Sequence, residues 1–248
     1  MKNPFPLVLL ASIFFLWSCK KDNNAPNSNN GAKPKTYTED VRNDIIGNSV
    51  TTYDLSYDAN NRVTGITATP APASINFVYT YPAQGSVTMD LYEGGILNIH
   101  EIMWLNASSW LDSTFQFDNS GDTTTEKYIY NGNKQLIQQK TYDYSSSVAI
   151  LNNILNYTYD NLGNVISSVD NQGTSITYTY YTNLPNTLNL GQTFLPQSAY
   201  FIKTATLNSG GSTETATHYY TFDSNNRLIK DSTSTPEISL IAIKSYTY

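Results

Sequence analysis

The side chain with the clearest chemical potential is a lone thiol near the N-terminus. Cys19 is the only cysteine among 248 residues, so the chain can form no internal disulfide and no cysteine-rich zinc site. It follows an apolar run from Leu7 to Trp17 that only Ser12 interrupts. A membrane-spanning helix needs about 20 apolar residues, so this shorter run fits the core of a secretory signal. A thiolate at this point is a suitable nucleophile for acylation.

The residues Leu16-Trp17-Ser18-Cys19 resemble the lipobox of bacterial lipoproteins. The resemblance implies cleavage before Cys19, a diacylglyceryl group on its sulfur and a further acyl chain, such as palmitate, on its amine. Each buried CH₂ contributes about 0.8 kcal/mol, so two or three chains hold a protein on a membrane almost irreversibly. We predict a signal peptide over 1–18, a lipidated Cys19 with a disordered polar tether over 19–36, and one folded domain over 37–248.

The charges are divided unevenly between this anchor and the rest of the chain. Lys20-Lys21-Asp22 is similar to the surface-export patch of Bacteroidota lipoproteins, which implies the outer membrane, with the body exposed on the surface or facing the periplasm. Five of the 14 basic residues but only one of the 20 acidic residues precede Tyr37, which leaves 9 basic against 19 acidic residues beyond it. A body this acidic repels phosphate backbones, so we expect no nucleic-acid partner.

The other chemistry-bearing residues form no recognisable catalytic or metal-binding motif. His100 and His218 are too few for a histidine metal centre, and we expect His218 to stack on Tyr220. The segment Asp118–Asp122 lacks the later glutamate of a calcium loop. No spacing pairs two carboxylates for glycoside hydrolysis among those outside the predicted turns: Glu93, Glu101, Asp112 and Glu126. We therefore predict a protein that is not an enzyme and uses no metal or cofactor.

Two-residue alternation of apolar and polar side chains recurs along the body and predicts strands with one aromatic and one polar face. Its clearest segments are Ile75–Tyr81, Val87–Leu91, Leu111–Phe117, Leu155–Tyr159, Ile176–Tyr180 and His218–Phe222. The apolar stretch Ile96–Leu105 suits a helix or a strand, and we interpret it as a strand. We predict an all-β fold of roughly 12–14 strands, a large antiparallel up-and-down β-meander that is curled or closed into a barrel-like sheet.

A seven-residue unit marks the turns of this meander: aromatic, Asp, two turn residues, Gly or Asn, polar, aliphatic. It occurs at Tyr57–Val63, Tyr159–Val165 and Phe222–Leu228, with weaker copies at Tyr130–Leu136 and Phe117–Asp122. Asp starts the turn by bonding the backbone two residues on, and Gly or Asn tolerates a positive φ. The predicted structural positions are Tyr57, Asp58, Asn61, Tyr159, Asp160, Gly163, Phe222, Asp223 and Asn226.

This unit resembles the YD (Rhs-type) repeats, and the body is similar to a family of Bacteroidota lipoproteins of unknown function with a porin-like β fold. The copies are few and irregularly spaced, so the shell that encloses a toxin in long Rhs chains is not implied. Tyr-x-Tyr pairs at strand ends are also typical of the aromatic girdles of membrane-spanning barrels. The Ser, Thr, Asn and Gln of the second strand face, together with the predicted anchor, favour a tethered barrel over a spanning one.

The surplus of aromatic side chains is the main indication of function. Tyrosine, at 20 residues, offers flat apolar area with a hydroxyl and suits either ligand stacking or the filling of a sheet core. Trp104 and Trp110 are the candidates for ligand stacking, and the long loop 183–197 is a place for recognition. The first hypothesis is a binding module for a glycan or small amphipathic ligand. The alternative is a structural or protein-interaction lipoprotein of an envelope complex.

Three short segments resemble the O-glycosylation sequon of Bacteroidota, in which Asp precedes Ser or Thr. They are Asp112-Ser113-Thr114, Asp122-Thr123-Thr124 and Asp231-Ser232-Thr233. The resemblance implies that Ser113, Thr123 and Ser232 are candidates for glycosylation.

Overall fold

The computed structural model describes residues 33–44, 47–69, 75–83, 85–145, 148–186, 188, 194–195 and 197–248. The predicted signal peptide, Cys19 and most of the predicted tether lie outside these residues. The first strand begins at Thr36, one residue before the predicted start of the folded domain.

The described residues form sixteen strands and one short 3₁₀ turn, Pro236–Ile238, which lies between the last two strands. The first eight strands are β1 (Thr36–Asn43), β2 (Gly47–Tyr57), β3 (Val63–Thr69), β4 (Ile75–Ala83), β5 (Ser86–Glu93), β6 (Ile96–Leu105), β7 (Leu111–Asp118) and β8 (Thr123–Tyr130). The others are β9 (Leu136–Ser145), β10 (Val148–Tyr159), β11 (Val165–Asp170), β12 (Ser175–Pro185), β13 (Tyr200–Ser209), β14 (Ser212–Phe222), β15 (Leu228–Thr235) and β16 (Leu240–Thr247).

The strands form one closed antiparallel barrel. Each strand pairs with its neighbours in sequence, and β1 pairs with β16 so that Thr36 lies opposite Thr247 and Asn43 opposite Leu240. The predicted all-β up-and-down meander is confirmed, and closure leaves no free sheet edge along the ring. The segment Ile96–Leu105 is a strand, as predicted. The number of strands exceeds the prediction because strands such as β13 and β15 carry Thr, Ser and Lys in place of a clear aromatic alternation.

The barrel has two ends that differ in their turns. The proximal end carries Lys35, Tyr248 and the loops that follow the even-numbered strands, and the distal end carries the loops that follow the odd-numbered strands. Lys35 is tied to this end because its N–H donates to the carbonyl of Thr247, at 2.7 Å. The chain therefore enters and leaves the barrel at the same end.

The repeated unit forms a hydrogen-bonded turn whose geometry follows from its aspartate. Asp160 Oδ1 accepts the backbone N–H of Leu162, at 2.9 Å, and of Asn164, at 2.8 Å. Gly163 between them has a φ of 85°, which costs glycine little. Corresponding turns are centred on Asp58, Asn106, Asp118, Asn131, Asp170 and Asp223, and their fourth residues, Asn61, Ser109, Gly121, Lys134, Gly173 and Asn226, also have positive φ.

We expect Asp160→Ala to lower the free energy of unfolding by about 1–2 kcal/mol, because two backbone donors and the amide of buried Asn164 lose their acceptor. Urea unfolding followed by circular dichroism measures the effect. Asp54→Ala, on the exposed face of β2, is the matched control and should change stability by less than about 0.5 kcal/mol. Equal effects of the two substitutions would contradict a stabilising role for the turn.

The even-numbered strands contribute three layers of side chains to the interior of the barrel. Side chains in these layers are buried or half-buried, whereas most of those that alternate with them are exposed, so the layers face inward. The proximal layer is Tyr57, Tyr81, Leu105, Tyr130, Tyr159, Tyr180, Phe222 and Tyr248. The second layer, two residues earlier on each strand, is Leu55, Tyr79, Met103, Tyr128, Tyr157, Tyr178, Tyr220 and Tyr246. The third layer, two residues earlier again, is Tyr53, Phe77, Glu101, Glu126, Leu155, Ile176, His218 and Lys244.

Tyrosine hydroxyls of the proximal layer tie adjacent hairpins together. Tyr159 donates to the carbonyl of Leu136, at 2.8 Å, and Tyr180 to that of Val165, at 2.6 Å. The same bond joins Tyr81 to Val63, Tyr130 to Leu111 and Tyr248 to Leu228. In each case a tyrosine of the proximal layer bonds the first residue of an odd-numbered strand. The tyrosines thus fill the core and satisfy its polar groups at once.

The outer face of the barrel consists largely of Ser and Thr. Cross-strand hydroxyl pairs link neighbouring strands on this face, as between Thr179 and Thr204, at 2.6 Å, and Thr158 and Ser167, at 2.6 Å. The outer face thus combines hydroxyl side chains with exposed apolar ones such as Trp104 and Phe117, whereas the two proximal layers of the interior are mainly aromatic and aliphatic.

Strand β7 departs from the predicted pattern of a buried aromatic face. Trp104 lies opposite Ser113 but Leu105 lies opposite Leu111, so Asp112 forms a bulge that reverses the facing of the strand. Leu111 is buried in the interior, whereas Phe117 is on the outer face and 40% exposed. Alternation from Leu111 to Phe117 does not reveal this reversal, because a bulge depends on the partner strand.

Candidate functional site

Polar and charged side chains interrupt the third layer and lie on two parts of the barrel wall. Glu101 on β6 and Glu126 on β8 belong to one group, which we call the acidic wall. His218 on β14 and Lys244 on β16 belong to the other, the mixed wall. In the ring of sixteen strands β7 and β15 are eight strands apart, so the two walls lie opposite each other across the interior.

The acidic wall is held by hydrogen bonds from neighbouring strands. Glu126 accepts the hydroxyl of Tyr128 and the amide of Gln139, the latter at 2.9 Å, and Thr141 approaches it at 3.5 Å. Tyr157 in turn donates to Gln139, at 3.0 Å. Side chains from β8, β9 and β10 therefore fix the position of this carboxylate.

The second carboxylate of the wall has a strongly altered acidity. Burial, together with the nearby charge of Glu126, raises the pKa of Glu101 from 4.5 to about 7, against the opposing effect of a hydrogen bond with Thr114. Thr114 is itself 2% exposed. Protonation of one carboxylate would relieve the repulsion between Glu101 and Glu126. A bound ligand that carries a cation or donates a hydroxyl hydrogen bond would do the same.

An unpaired oxygen lies beside this wall. Asn153 pairs with Thr141 across β9 and β10, and its buried Oδ1 has no hydrogen-bond partner among the described residues. A buried acceptor without a donor costs free energy. The acidic wall thus presents oxygen acceptors to the interior and suits a ligand that donates hydrogen bonds.

The mixed wall joins both charge signs around His218. Its Nδ1 lies 3.3 Å from Asp231 Oδ1 and 3.1 Å from the hydroxyl of Thr233, and its ring stacks on Tyr220 with centroids 6.0 Å apart. Lys244 Nζ lies 3.7 Å from Glu39 Oε1. Burial lowers the pKa of Lys244, and the charges of Glu39 and Asp231 oppose that change.

The interior is partly accessible to solvent at the level of the third layer. Lys244 and Glu39 face inward, yet each side chain is 12% exposed, and His218 is 20% exposed. The second layer below them is more tightly packed, with Tyr128, Tyr157, Tyr178 and Tyr246 all buried. The two walls therefore stand above a floor of tyrosine rings, and we call this arrangement the cup.

The described residues between β12 and β13 pack at the proximal end. Phe194 and Leu195 are buried in the core, and the carbonyl of Phe194 accepts the N–H of Leu111 on β7, at 2.7 Å. The hydroxyl groups of Ser198 and Tyr180 lie 3.0 Å apart. Of the predicted recognition loop 183–197, residues 183–185 belong to β12, whereas Phe194 and Leu195 fill part of the barrel interior.

The candidate stacking residues from the sequence lie outside the cup. Trp104 is on the outer face and 41% exposed, and Trp110 packs on Tyr130 at the proximal end with centroids 5.4 Å apart. Aromatic residues do line the interior, but they are tyrosines rather than tryptophans. His100 also lies on the outer face, where Nδ1 is 2.5 Å from Asp90 Oδ1 and the ring contacts Phe117.

The remaining predicted positions divide between the turns and the outer face. The repeat residues Tyr57, Asp58, Asn61, Tyr159, Asp160, Gly163, Phe222, Asp223 and Asn226 lie at turns of the proximal end. Ser113, Thr123 and Ser232 lie on strands β7, β8 and β15 and face away from the cup. Cys19 lies outside the described residues.

Sequence reasoning missed the cup because its residues are distant along the chain. Glu101 and Glu126 each precede the last inward residue of a strand by four positions, as do His218 and Lys244. That common spacing was visible in the sequence, but only strand register shows that Thr114 lies opposite Glu126 and Asp231 opposite Lys244.

Within the described residues no group of three or more His, Cys, Asp or Glu side chains could hold a metal ion. In the same part of the chain no helix is long and apolar enough to cross a membrane.

The barrel is similar to two solved structures of porin-like proteins. One, from Bacteroides uniformis, has 14% sequence identity and a TM-score of 0.65 over 86% of this chain and 97% of that chain. The other, from Bacteroides vulgatus, has 13% identity and a TM-score of 0.59 over 88% and 99%. No family model and no curated protein matches the sequence. At these identities the likeness shows the fold alone, so the porin-like β fold is confirmed, whereas the lipoprotein family and the YD repeats stay predictions.

Proposed function

We propose that this protein is a non-catalytic, lipid-anchored protein of the outer membrane that binds a glycan or small amphipathic ligand in its cup. The cup carries the proposal, since a tyrosine floor offers apolar stacking area while the walls offer hydrogen-bonding groups. Acceptors prevail on the acidic wall, which favours ligands rich in hydroxyl or ammonium donors.

The anchor belongs to the same proposal. A barrel that spans a membrane needs an outward apolar band, and the Ser- and Thr-rich outer face supports tethering instead. Cys19→Ser should therefore release the protein from the membrane fraction of cells, and continued retention would count against the anchor. Protease treatment of intact cells then separates surface display from a periplasmic position.

The two histidines offer a matched test of the cup. We expect one class of glycan or amphipathic ligand to raise the melting temperature of the wild-type protein in a thermal-shift screen. His218→Ala should weaken that ligand about tenfold, because it removes a wall residue and its stacking contact. His100→Ala, on the outer face, should leave the affinity unchanged within about twofold.

Two results of this test would oppose the proposal. A screen in which no ligand class raises the melting temperature would argue against a binding module. Equal weakening by both histidine variants would place the ligand outside the cup.

A second candidate function is a structural or interaction role within an envelope complex. An aromatic strip on the outer face favours it: Trp104, Phe115, Phe117 and Tyr144, with Phe115 and Tyr144 in edge contact at 6.4 Å. Crosslinking in cells should then trap one consistent partner, and recovery of monomer alone would argue against this role.

A further inference from the structure

The hairpin of β9 and β10 projects beyond β11 at the distal end, and it extends beyond β8 by the last two residues of β9. Strand β8 last pairs with β9 at Asp143, and β11 last pairs with β10 at Leu155. Residues Val148 to Asn153 therefore pair with β9 alone. At about 3.3 Å per residue they extend roughly 15–20 Å past the last residue of β11. We call residues 142–145 and 148–153 the distal ribbon.

The distal ribbon is apolar on both of its faces. Opposite residues of an antiparallel pair share a face, so Leu151 and Tyr144 lie on one side and Val148 and Ile150 on the other. Their exposed fractions are 44%, 38%, 62% and 53%. Asp143 lies opposite Ile150 on the second side and is the only charged residue in the ribbon sequence, and the amide of Asn152 bonds it at 2.6 Å.

This two-sided pattern favours a lipid surface over a protein partner. A ribbon that docks on a protein buries one face and leaves the other in water. Both faces are removed from water only when the ribbon is immersed. The boundary between lipid headgroups and acyl chains takes up about 5–10 Å of an inserted apolar element, a depth that the ribbon can supply.

The apolar exposure is concentrated at the distal end. Ile96 and Leu97 begin β6 at this end and are 65% and 39% exposed, and Val50 on β2 is 55% exposed. Fewer large apolar residues are exposed near the proximal end, and these are Trp104, Ile129, Leu162, Ile166 and Tyr219.

The length of the chain before β1 lets anchor and ribbon meet one membrane. Sixteen residues lie between Cys19 and Thr36, and the extended chain from one to the other spans at most about 55–60 Å. Strands of 6–12 residues with a usual barrel tilt give a height of about 15–30 Å. The chain can therefore run from the proximal end past the barrel to the distal side. This step rests on the lipidation of Cys19 in the proposed function.

We propose that the distal ribbon inserts into the interfacial layer of a lipid bilayer and turns the distal end of the barrel toward the membrane surface. Insertion hides the two apolar faces of the ribbon. It also brings the cup close to amphipathic molecules in that membrane.

Vesicle co-sedimentation tests this proposal on the chain expressed from Lys20, which lacks the leader and Cys19. The strands close within Thr36–Thr247, so the barrel does not need those residues to fold. With phosphatidylcholine–phosphatidylethanolamine vesicles we expect the wild-type barrel to partition measurably. Leu151→Asp should reduce the partition coefficient about tenfold or more, and Leu162→Asp, exposed at the proximal end, should change it by less than twofold.

Three results would overturn the proposal. The first is that the wild-type protein does not partition onto vesicles, and the second is that the Leu151→Asp and wild-type proteins partition equally. The third is dimerisation without vesicles that Leu151→Asp abolishes, which would assign the ribbon to a second copy of the chain. Ligand titration keeps this test separate from the proposed function, because Leu151→Asp, on the outward side with Tyr144, should leave cup affinity unchanged. Loss of membrane association in the Cys19→Ser variant is likewise measured independently.

Discussion

Replacing Tyr128 with alanine should lower the free energy of unfolding by about 3–5 kcal/mol. The ring is buried in the second layer and packs in the main core cluster, so its removal leaves a cavity. The hydroxyl also bonds Glu126, and the pKa of Tyr128 is raised by burial and by that carboxylate. Tyr128→Phe keeps the ring and should cost about 1–2 kcal/mol through the lost hydrogen bond alone. Urea unfolding at pH 8 measures both variants.

Tyr219→Ala is the matched control for this substitution. Tyr219 lies next to the inward Tyr220 on β14 but faces outward and is 58% exposed. Its loss should change stability by less than about 1 kcal/mol. If the two alanine variants were equally destabilised, the assignment of inner and outer faces would be wrong.

Lowering the pH from 8 to 5 should remove a destabilising contribution of about 3 kcal/mol that originates at Glu101. The pKa of this carboxyl is raised from 4.5 to about 7 in the folded protein, chiefly by burial and then by Glu126. Between pH 4.5 and about pH 7 the folded state binds more protons than the unfolded state. The free energy of unfolding therefore falls as the pH rises through this window, and the loss is complete above pH 7.

The Glu101→Gln variant isolates this contribution. At pH 8 it should be more stable than the wild type by up to about 3 kcal/mol, because the amide carries no charge to bury. Near pH 4.5 the two proteins should be equally stable. Glu237→Gln, in the exposed 3₁₀ turn, should follow the wild type at every pH. Parallel pH profiles for Glu101→Gln and the wild type would refute a buried, charged Glu101.

The turns of the aromatic repeats could be predicted from the sequence, whereas the close approach of the two buried carboxylates could not. The turn at Asp160 follows from contacts among residues 160–164, so its geometry can be expected from the sequence. Glu101 on β6 and Glu126 on β8 come close because β7, which carries Thr114, pairs with both strands. No local sequence pattern specifies that arrangement. The facing of Trp104 is a further case, since only the burial of Met103 beside it on β6 shows that Trp104 lies on the outer face.

By itself the amino-acid sequence determined the strands, their turns and the all-β class, because alternation and turn hydrogen bonds act over only a few residues. The tertiary structure alone decided that sixteen strands close into a ring, which face lies inside, and which polar side chains meet across the interior. Those outcomes depend on strand register and on pairing between Thr36 and Thr247 at opposite ends of the domain. Such contacts bring together residues far apart in the chain, and no local pattern encodes them.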